Sequence, residues 1–384
     1  MRILLAHSFY RLPGGEDRHV RDQLELLSRD NEVDLLEESN EALSESLRTT
    51  VWMTYSKRRT DQVIERLRLF RPDVVHLHNA YPALGPTVHL AAEELQIPLV
   101  MTVHNYRMRC PNGLTFTEGA ICRRCERGNY ASAVFHHCFH DPKQSAAYAG
   151  SLWFHRFILR LEDKVARFVS PSDFVRDRLL RWGISADRVV VIPDFVRPIP
   201  APSALGRFGV FIGRLSAEKG VDVLIRALAK ASDPPFRIVG DGPAGVPTRR
   251  LAHAVGLRNT EFLGQLSHRD VAEVLQESRY LVMPSLLEET CGLAALEAMA
   301  HGRPVLVSSL GALTELVRQE NGLTSPPGDI DALAEKIRIL QRDDDFCGDA
   351  GMRGWDLCRR EYSPQVHLSR LDELYTSCSG AVPT

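Results

Sequence analysis

Short apolar runs alternate with amphipathic stretches along most of the chain. In the first half, the runs that predict β-strands are Arg2–Ser8, Val33–Leu36, Asp73–His78, Pro98–His104, Phe168–Ser170 and Val189–Ile192. The second half restarts the pattern with Gly209–Gly213, Phe236–Val239, Thr260–Leu263, Tyr280–Met283 and Pro304–Val307. Buried strands that alternate with helical segments are typical of βαβ units, so each half predicts a parallel sheet covered by helices.

A proline-rich segment separates the two halves. Pro193–Ser203 holds four prolines in eleven residues. Proline fixes φ and lacks a backbone donor, so this segment predicts a linker. We therefore expect two Rossmann-like domains, one over residues 1–196 and one over residues 205–362. From about residue 105 to residue 150 the periodicity is lost, which predicts an insertion in the first domain.

Composition narrows the class of protein. Hydrophobic residues make up 44% and charged residues 25% of the 384 residues, as in soluble globular proteins. The 47 basic and 49 acidic residues give a net charge of −2, which argues against bulk electrostatic binding of nucleic acid. No apolar run approaches the roughly 18 residues of a membrane span. The short apolar N-terminus predicts a strand and not a signal peptide, so we expect a cytoplasmic protein.

Three loops that follow predicted strands carry candidate chemistry, because open α/β sheets bind ligands at the carboxyl ends of strands. Gly14 and Gly15 would let backbone amides approach an anion, or they form only a tight turn. Arg214 and Lys219 suit a diphosphate, or they belong to a solvated basic turn.

The third loop runs from Pro284 to Pro304 and contains a helix. Glu289 precedes that helix, where the free amides of its first turn can bind an anion or a hydroxyl. Glu297 lies farther along the helix, and a carboxylate there accepts two hydrogen bonds from a ribose diol. The alternative is a helix-capping Glu289 and a surface Glu297.

These motifs occur in one order along nearly the whole chain. They are Gly14-Gly15, Gly213-Arg214 with Lys219-Gly220, Gly240-Asp-Gly-Pro243, and Glu289 with Glu297 in E-x7-E spacing. Together they resemble family-4 (GT4) retaining glycosyltransferases with the GT-B fold. The resemblance implies an α/β protein whose two Rossmann-like domains face each other across an interdomain cleft. Residues 1–196 would form the acceptor side, joined by a last helix over 364–384, and residues 205–362 would bind the nucleotide sugar.

The resemblance also implies roles for single residues. Arg214 and Lys219 would neutralise the donor diphosphate, with help from amides at Gly14 and Gly15, and Glu297 would hold the ribose. Glu289 and the amides of Gly292 and Leu293 would hold the donor sugar, while backbone near Leu263 and Gly264 would contact the base. His104 matches a histidine near the anomeric carbon, although an isolated histidine of this kind is more often structural.

The implied reaction is transfer of a hexose from a nucleoside-diphosphate sugar to an acceptor hydroxyl with retention of configuration. The acceptor would be a glycan, a lipid-linked sugar or a small molecule, and catalysis would need no cofactor. Two residues depart from the family pattern. Cys291 stands at a usually aromatic position, and Asp194-Phe195 replaces the common Asn-Gly.

The insertion carries a cysteine cluster. Cys110, Cys122, Cys125 and Cys138 form the pattern C-x11-C-x2-C-x12-C, and His136, His137 and His140 lie near them in the sequence. Four thiolates can close a tetrahedral site for structural zinc, whereas buried free thiols or a labile disulfide explain the cluster almost as well.

Basic residues suggest further contacts. The insertion contains Arg107, Arg109, Arg123, Arg124 and Arg127, which would recognise an anionic acceptor or form a solvated loop. A second basic stretch from Lys57 to Arg71 would contact anionic lipid at the inner membrane face, or would be a solvated helix face. Two other functions stay open: a nucleotide-sugar epimerase or hydrolase with the GT-B fold, and a zinc-stabilised binding protein without catalysis.

Overall fold

The computed structural model describes residues 1–10, 14–40, 53–139, 141–199, 201–318 and 320–380. The chain divides into two compact units. Unit 1 comprises Met1–Thr117, Cys122–Pro193 and His367–Thr384, and unit 2 comprises Glu118–Ile121 and Asp194–Val366. The predicted fold class, two α/β domains with parallel sheets, is confirmed.

Strands β1 to β8 precede the proline-rich segment. They are β1 (Arg2–Phe9), β2 (Glu32–Ser39), β3 (Val74–Asn79), β4 (Leu99–Thr102), β5 (Phe116–Thr117), β6 (Ala120–Ile121), β7 (Arg167–Ser170) and β8 (Val189–Val191). The sheet of unit 1 is parallel, in the order β2-β1-β3-β4-β7-β8. A separate two-stranded sheet pairs β5 with β6.

Alternate residues of β1 face two different apolar layers. Leu4 and Ala6 pack into one core cluster, whereas Ile3 and Leu5 pack into the other. The helices of this part of the chain are α1 (Gly15–Leu27), α2 (Lys57–Phe70), α3 (Thr87–Glu94), α4 (Ala131–Phe135), α5 (Pro142–Phe157) and α6 (Asp173–Arg181). Because side chains alternate across a strand, a continuous apolar run covers both faces of the sheet, as the sequence pattern predicts.

Unit 2 repeats this architecture. Its strands are β9 (Phe208–Ile212), β10 (Phe236–Val239), β11 (Thr260–Gly264), β12 (Ser278–Met283), β13 (Val305–Ser308) and β14 (Gly322–Ser325), paired in parallel in the order β11-β10-β9-β12-β13-β14. Its helices are α7 (Val221–Lys230), α8 (Gly245–Ala254), α9 (His268–Glu277), α10 (Leu293–Ala300), α11 (Leu313–Leu316), α12 (Ile330–Arg342) and α13 (Asp344–Glu361).

The last helix, α14 (Pro364–Ser379), starts at the end of unit 2 and belongs to unit 1 from His367 onward. Its apolar residues Leu371, Leu374 and Tyr375 are buried in the core cluster that contains Ile3 and Leu5. The apolar periodicity of this segment therefore marks a face that closes one side of the unit 1 sheet.

Every predicted strand overlaps an observed one, with two differences that matter. Strand β4 ends at Thr102, so His104 lies on the following loop and not at the end of a strand. Strand β14 was not predicted, because its sequence, Gly-Leu-Thr-Ser, lacks an apolar run.

The proline-rich segment is packed rather than free. Asp194, Phe195 and Val196 are buried, and the Val196 amide donates to the carbonyl of Tyr362 at 2.9 Å. Ile199 uses both backbone groups, donating to the Ala300 carbonyl and accepting from the Trp355 indole. The prolines lack a backbone N–H donor, but the residues between them still form backbone hydrogen bonds with other parts of unit 2.

Candidate functional site

The loop after β9 is held against the loop after β12 in unit 2. Gly220 lies in the left-handed region with φ of 67°, and a Cβ there would come within 2.1 Å of the Pro284 carbonyl oxygen. The Leu286 amide donates to the Glu218 carbonyl at 2.8 Å. Only glycine allows both this backbone conformation and this close approach, so Gly220 fixes how the two loops meet.

This contact brings together two residues that the sequence analysis selected. Lys219 Nζ lies 2.7 Å from Glu289 Oε1, and the Ser285 hydroxyl donates to the same oxygen at 2.6 Å. The Lys219 side chain is 21% exposed and that of Glu289 is 11% exposed. The result is a partly buried ion pair in the loops that follow β9 and β12, with part of the Lys219 side chain exposed.

Arg214, in the same loop, pairs with a residue that the sequence analysis missed. Its Nη2 lies 2.6 Å from Glu218 Oε1, which also accepts from the Ser216 hydroxyl at 2.6 Å. Burial alone would raise the pKa of Glu218, but the Ser216 hydrogen bond and the Arg214 charge outweigh burial and hold the pKa below its usual value. Glu218 is therefore an anion that anchors the guanidinium, and half of the Arg214 side chain remains exposed.

Helix α10 begins beside Glu289. Gly292 is its N-cap, with φ of 93°, and has no side chain with which to cap the first turn. The Ala295 amide of that first turn donates to the Gly292 carbonyl at 2.9 Å, so an anion or a hydroxyl at this helix start would meet the amides of Leu293 and Ala294. Glu297 is partly buried farther along α10, and its carbonyl accepts from His301 Nδ1 at 2.8 Å.

Close backbone contacts order the neighbouring strand ends. A Cβ on Gly240 would lie 1.9 Å from the Gly213 carbonyl oxygen, and a Cβ on Gly242 would lie 2.5 Å from that of Leu215. The Gly240 amide donates to the Gly264 carbonyl at 2.7 Å. Gly264 follows Leu263 at the end of β11, with open space on the side where a Cβ would point. The loops after β9, β10 and β11 thus form one connected edge.

The two departures from the family pattern lie next to each other. Cys291 and Asp194 are both buried, and burial together with the neighbouring Asp194 carboxylate raises the pKa of the Cys291 thiol well above its usual value. The thiol is therefore a hydrogen-bond donor to the carboxylate. Because these residues are far apart in the sequence, nothing in the local pattern of either one could have indicated the pair.

In unit 1, Gly14 is the N-cap of α1 and Gly15 is its first residue. The Gly14 amide donates to Asp17 Oδ2 at 3.0 Å, and Asp17 Oδ1 lies 2.8 Å from His7 Nε2. A Cβ on Gly14 would meet nothing within 4 Å. Leu12 and Pro13, which precede these glycines, lie outside the described residues. The start of α1 is consequently fixed by a buried aspartate that the sequence analysis did not single out.

Glu16 is a further titratable group at this helix start. Its Oε2 accepts from the Tyr10 hydroxyl at 2.9 Å and from the Asn105 amide at 3.4 Å. Burial raises the pKa of Glu16 to about 7, although the nearby His7 and the Tyr10 hydrogen bond oppose the shift. A carboxyl group that titrates near neutral pH is a candidate for chemistry. Its position directly after two glycines could have drawn attention to it in the sequence.

His104 belongs to a group of stacked histidines. His104 Nε2 lies 2.9 Å from His78 Nδ1, with the two rings 5.2 Å apart and nearly parallel. His78 stacks in turn on His76 at 4.3 Å. Burial lowers the pKa values of His76 and His78 well below the usual value, and neighbouring histidines add to the shift. His76 and His78 are therefore neutral, and in the hydrogen bond between His78 and His104 one of the two facing nitrogens donates and the other accepts.

One of the arginines of the insertion is buried and paired with a carboxylate. Arg109 is buried and lies 2.6 Å from Glu162, and it also donates to the Trp182 carbonyl. It is therefore a structural residue, and it is not open to an acceptor.

Of the helix α2 cations, Lys57, Arg59, Arg66 and Arg68 pair with carboxylates. These pairs favour the solvated helix face over the predicted lipid contact.

All four cysteines of the insertion are free thiols. Within the described ranges, no group of three or more His, Cys, Asp or Glu side chains is arranged so that it could hold a metal ion. His140, one of the predicted replacement ligands, lies outside those ranges. Among the helices that the structure describes, none is both long and apolar enough to cross a membrane.

Comparisons with known proteins match this architecture unit by unit. Residues 43–194 match the family model described as "Glycosyl transferase 4-like domain", and residues 207–343 match the model described as "Glycosyl transferases group 1". The chain is 25% identical over 289 residues to the "Uncharacterized glycosyltransferase MJ1178" of Methanocaldococcus jannaschii, covering 75% of this chain and 71% of that one. It is 32% identical over 204 residues to "D-rhamnosyltransferase WbpZ" of Pseudomonas aeruginosa, covering 48% and 51%.

Solved structures share the fold. Anabaena Alr3699/HepE in complex with UDP-glucose superposes with a TM-score of 0.70 at 18% identity, covering 98% of this chain and 100% of that one. The two domain models and this likeness define the class. The chain belongs to the GT4 family of glycosyltransferases, and its fold is GT-B.

Proposed function

We propose that the protein transfers a hexose from a nucleoside-diphosphate sugar to an acceptor hydroxyl, with retention of anomeric configuration. One observation carries this proposal: Lys219 and Glu289, from two different strand ends, meet at 2.7 Å beside the uncapped start of α10. This arrangement supplies a cation for a diphosphate next to a carboxylate for a sugar, as a nucleotide-sugar donor requires.

The cations of unit 2 suit a diphosphate leaving group. Arg214 offers a planar donor fork and Lys219 a compact charge, and both side chains keep an exposed part that a ligand can reach. When the bond to the anomeric carbon breaks, negative charge develops on the diphosphate. Preorganised cations stabilise that charge more than they stabilise the bound donor, and this difference lowers the barrier.

Neighbouring groups of unit 2 would bind the sugar, the ribose and the base of the donor. We assign the sugar hydroxyls to Glu289 and to the amides at Gly292 and Leu293, and the ribose to Glu297. The base would contact backbone near Leu263 and Gly264, where the missing Cβ of Gly264 leaves open space. HepE, which shares the fold, was solved with UDP-glucose, so a uridine nucleotide is the first donor to test.

From unit 1, the proposal includes His104 for the sugar near the anomeric carbon and the Gly15 amide for the diphosphate. The Gly14 amide, expected to share that role, already donates to Asp17 Oδ2. His104 Nε2 lies 2.9 Å from Nδ1 of the buried His78, and this contact holds the His104 ring in place. The acceptor is a hydroxyl of a glycan, a lipid-linked sugar or a small molecule. Catalysis relies on positioning and charge stabilisation, with no cofactor in the reaction.

A thermal-shift screen with UDP, GDP, ADP, dTDP and CDP tests the donor site. A nucleotide that binds only the folded chain raises its melting temperature. Lys219→Ala and Arg214→Ala should each weaken that nucleotide about 10- to 100-fold, because each removes a charge-assisted hydrogen bond to phosphate. Lys230→Ala is the matched control, since this exposed lysine pairs with Asp331 and lies at the far end of α7.

Equal nucleotide affinity in the three variants would contradict the assignment of the diphosphate site. Retention is tested separately, by incubating the chain with the stabilising nucleotide's α-linked sugar and a panel of glycan and small-molecule acceptors, and reading the anomeric coupling of the glycoside formed by NMR. A β-linked product would overturn the proposed stereochemistry while leaving the donor site intact.

A further inference from the structure

Three histidine rings lie in a row in unit 1, and His104 is the last of them. His76 and His78 are buried on β3, whereas His104 is partly exposed on the loop after β4. The rings of His76 and His78 stack with their centres 4.3 Å apart, and those of His78 and His104 stack at 5.2 Å. The histidine assigned to the donor sugar is thus backed by two buried rings.

His76 is held at both of its ring nitrogens. Its Nε2 lies 2.7 Å from the Thr102 hydroxyl at the end of β4, and its Nδ1 lies 2.5 Å from the Tyr375 hydroxyl on α14. These contacts fix the end of the row that is farther from His104. His78 therefore packs between a ring that is held in place and the ring of His104.

The two ring nitrogens of His78 have different surroundings. Nδ1 lies 2.9 Å from His104 Nε2, whereas Nε2 is buried and has no hydrogen-bond partner among the residues that the structure describes. Burial lowers the pKa of His78 well below its usual value, so the ring is neutral and carries one N–H proton. That proton is on one of these two nitrogens, and the contact with His104 depends on which.

The unpartnered Nε2 favours one of the two tautomers. A proton on Nε2 would bury an N–H donor that has no acceptor, and such donors are rarer in proteins than buried acceptors without a donor. A proton on Nδ1 is instead donated to His104 Nε2. We therefore place the proton of His78 on Nδ1.

We propose that His78 is a positioning residue, which donates from Nδ1 to His104 Nε2 and thereby keeps the proton of His104 on Nδ1. An imidazole nitrogen that accepts a hydrogen bond carries no proton, so the proton of the His104 ring is on its other nitrogen. Whatever group His104 Nδ1 contacts must accept a hydrogen bond. His104 can thus donate to a sugar oxygen, but its Nδ1 cannot take the proton of the acceptor hydroxyl.

The inference deepens the proposed function and rests on it for the role of His104 in sugar transfer. An N–H that is directed in advance at an oxygen near the anomeric carbon needs no reorganisation as charge develops there. Without His78, the proton of His104 could occupy either nitrogen. Only a fraction of the molecules would then present the donor at Nδ1, and the reaction would slow in proportion.

Nitrogen NMR of the full chain determines the tautomer with no substrate present. With ¹⁵N in the histidine rings, correlations to the carbon-bound ring protons distinguish a protonated nitrogen from a bare one, and His104→Gln assigns the His104 signals. We expect the proton on Nδ1. His78→Asn should keep this tautomer, because the asparagine amide nitrogen takes the place of Nδ1. His78→Gln is the matched control and should lose it, because glutamine places its amide at the position of Nε2.

Transfer from UDP-glucose to a panel of glycan and small-molecule acceptors gives a second readout. His78→Gln should lower kcat about 10- to 100-fold with little change in the KM of the donor, and His78→Asn should stay within about threefold of the wild type. Cooperative melting of both variants shows that folded proteins are compared.

Three results would overturn the proposal: a wild-type His104 with its proton on Nε2, a His104 tautomer that is the same in His78→Gln as in the wild type, or equal kcat in the two variants. A wild-type chain that does not use UDP-glucose would count against the proposed function alone, and the NMR measurement would still decide the role of His78.

Discussion

Replacing Gly220 with alanine tests whether the close contact of two loops builds the candidate site of unit 2. Alanine would have to adopt φ of 67°, and its Cβ would come within 2.1 Å of the Pro284 carbonyl oxygen. Cβ contacts under 3.0 Å essentially never occur, so the two loops must move apart by roughly 1 Å. That movement would stretch the Leu286–Glu218 backbone hydrogen bond and the ion pair of Lys219 with Glu289.

The magnitude follows from two contributions. A left-handed alanine costs about 1–2 kcal/mol, and overpacking a well-packed contact costs about 1–3 kcal/mol more. We therefore expect Gly220→Ala to lower the free energy of unfolding by about 3 kcal/mol, which corresponds to a fall in melting temperature of roughly 9 °C for a unit of this size.

Gly256→Ala is the matched control. Gly256 also has a left-handed φ, of 81°, but nothing lies within 4 Å of the position of its Cβ. This variant should show the conformational cost alone, about 1 kcal/mol or roughly 3 °C. Melting curves with and without the stabilising nucleotide separate the two variants: Gly256→Ala should keep the nucleotide-induced shift, and Gly220→Ala should lose most of it.

Equal melting temperatures for Gly220→Ala and Gly256→Ala would refute the argument from loop contact. A Gly220→Ala protein that is destabilised but still binds nucleotide as tightly as the wild type would refute a narrower point. It would show that the position of Lys219 does not depend on the approach of the two loops.

Two further predictions concern unit 1. Burial lowers the pKa of His19 to about 4 from about 6.5; the unfolded chain therefore binds the extra proton between these values, and stability should fall by up to about 3 kcal/mol as pH drops from 6.5 to 4. Urea unfolding against pH should show a shallower fall for His19→Asn, whereas the exposed His253→Asn should leave the profile unchanged, and identical slopes would reject this cause. Arg178 is fully buried and lies 3.2 Å from the partly exposed Glu126, so Arg178→Ala should cost about 3 kcal/mol by emptying a packed position and removing the partner of Glu126. The exposed Arg176→Ala should cost under about 0.5 kcal/mol in the same assay, and similar losses in both would contradict the role of burial.

The fold was predictable because its information is local. The run Phe236–Val239 is a strand with the same bounds in the structure, because three of its four residues are apolar and buried; the fourth, Arg237, is partly exposed. Lys219-Gly220, where charge and glycine stand together, was selected from the sequence, and the structure places it in a loop that contacts the Pro284 backbone. Residues of this kind mark a loop that approaches other backbone closely.

The remaining features depend on pairs that are distant in the sequence. Glu218 could not be recognised as the anchor of Arg214 from its type alone, because a glutamate in a polar loop is usually solvated. Asp194 and Cys291 each looked like a separate departure from the family pattern, yet they form one buried contact. Cys291 stands where the family pattern has an aromatic residue, and its thiol contacts the Asp194 carboxylate, which comes from another segment of the chain.

Both cations of the candidate site in unit 2 are paired with carboxylates, and a donor that binds there would change these pairs. Arg214 and Lys219 each already have a carboxylate partner, Glu218 and Glu289 respectively. On the proposed function, an arriving diphosphate draws Lys219 away from Glu289 and leaves that carboxylate with the Ser285 hydroxyl alone. Glu289 then gains an acceptor position for a sugar hydroxyl at the moment the phosphates are held. A nucleoside diphosphate without its sugar leaves this position empty, so the complete donor should bind more tightly than the free nucleotide.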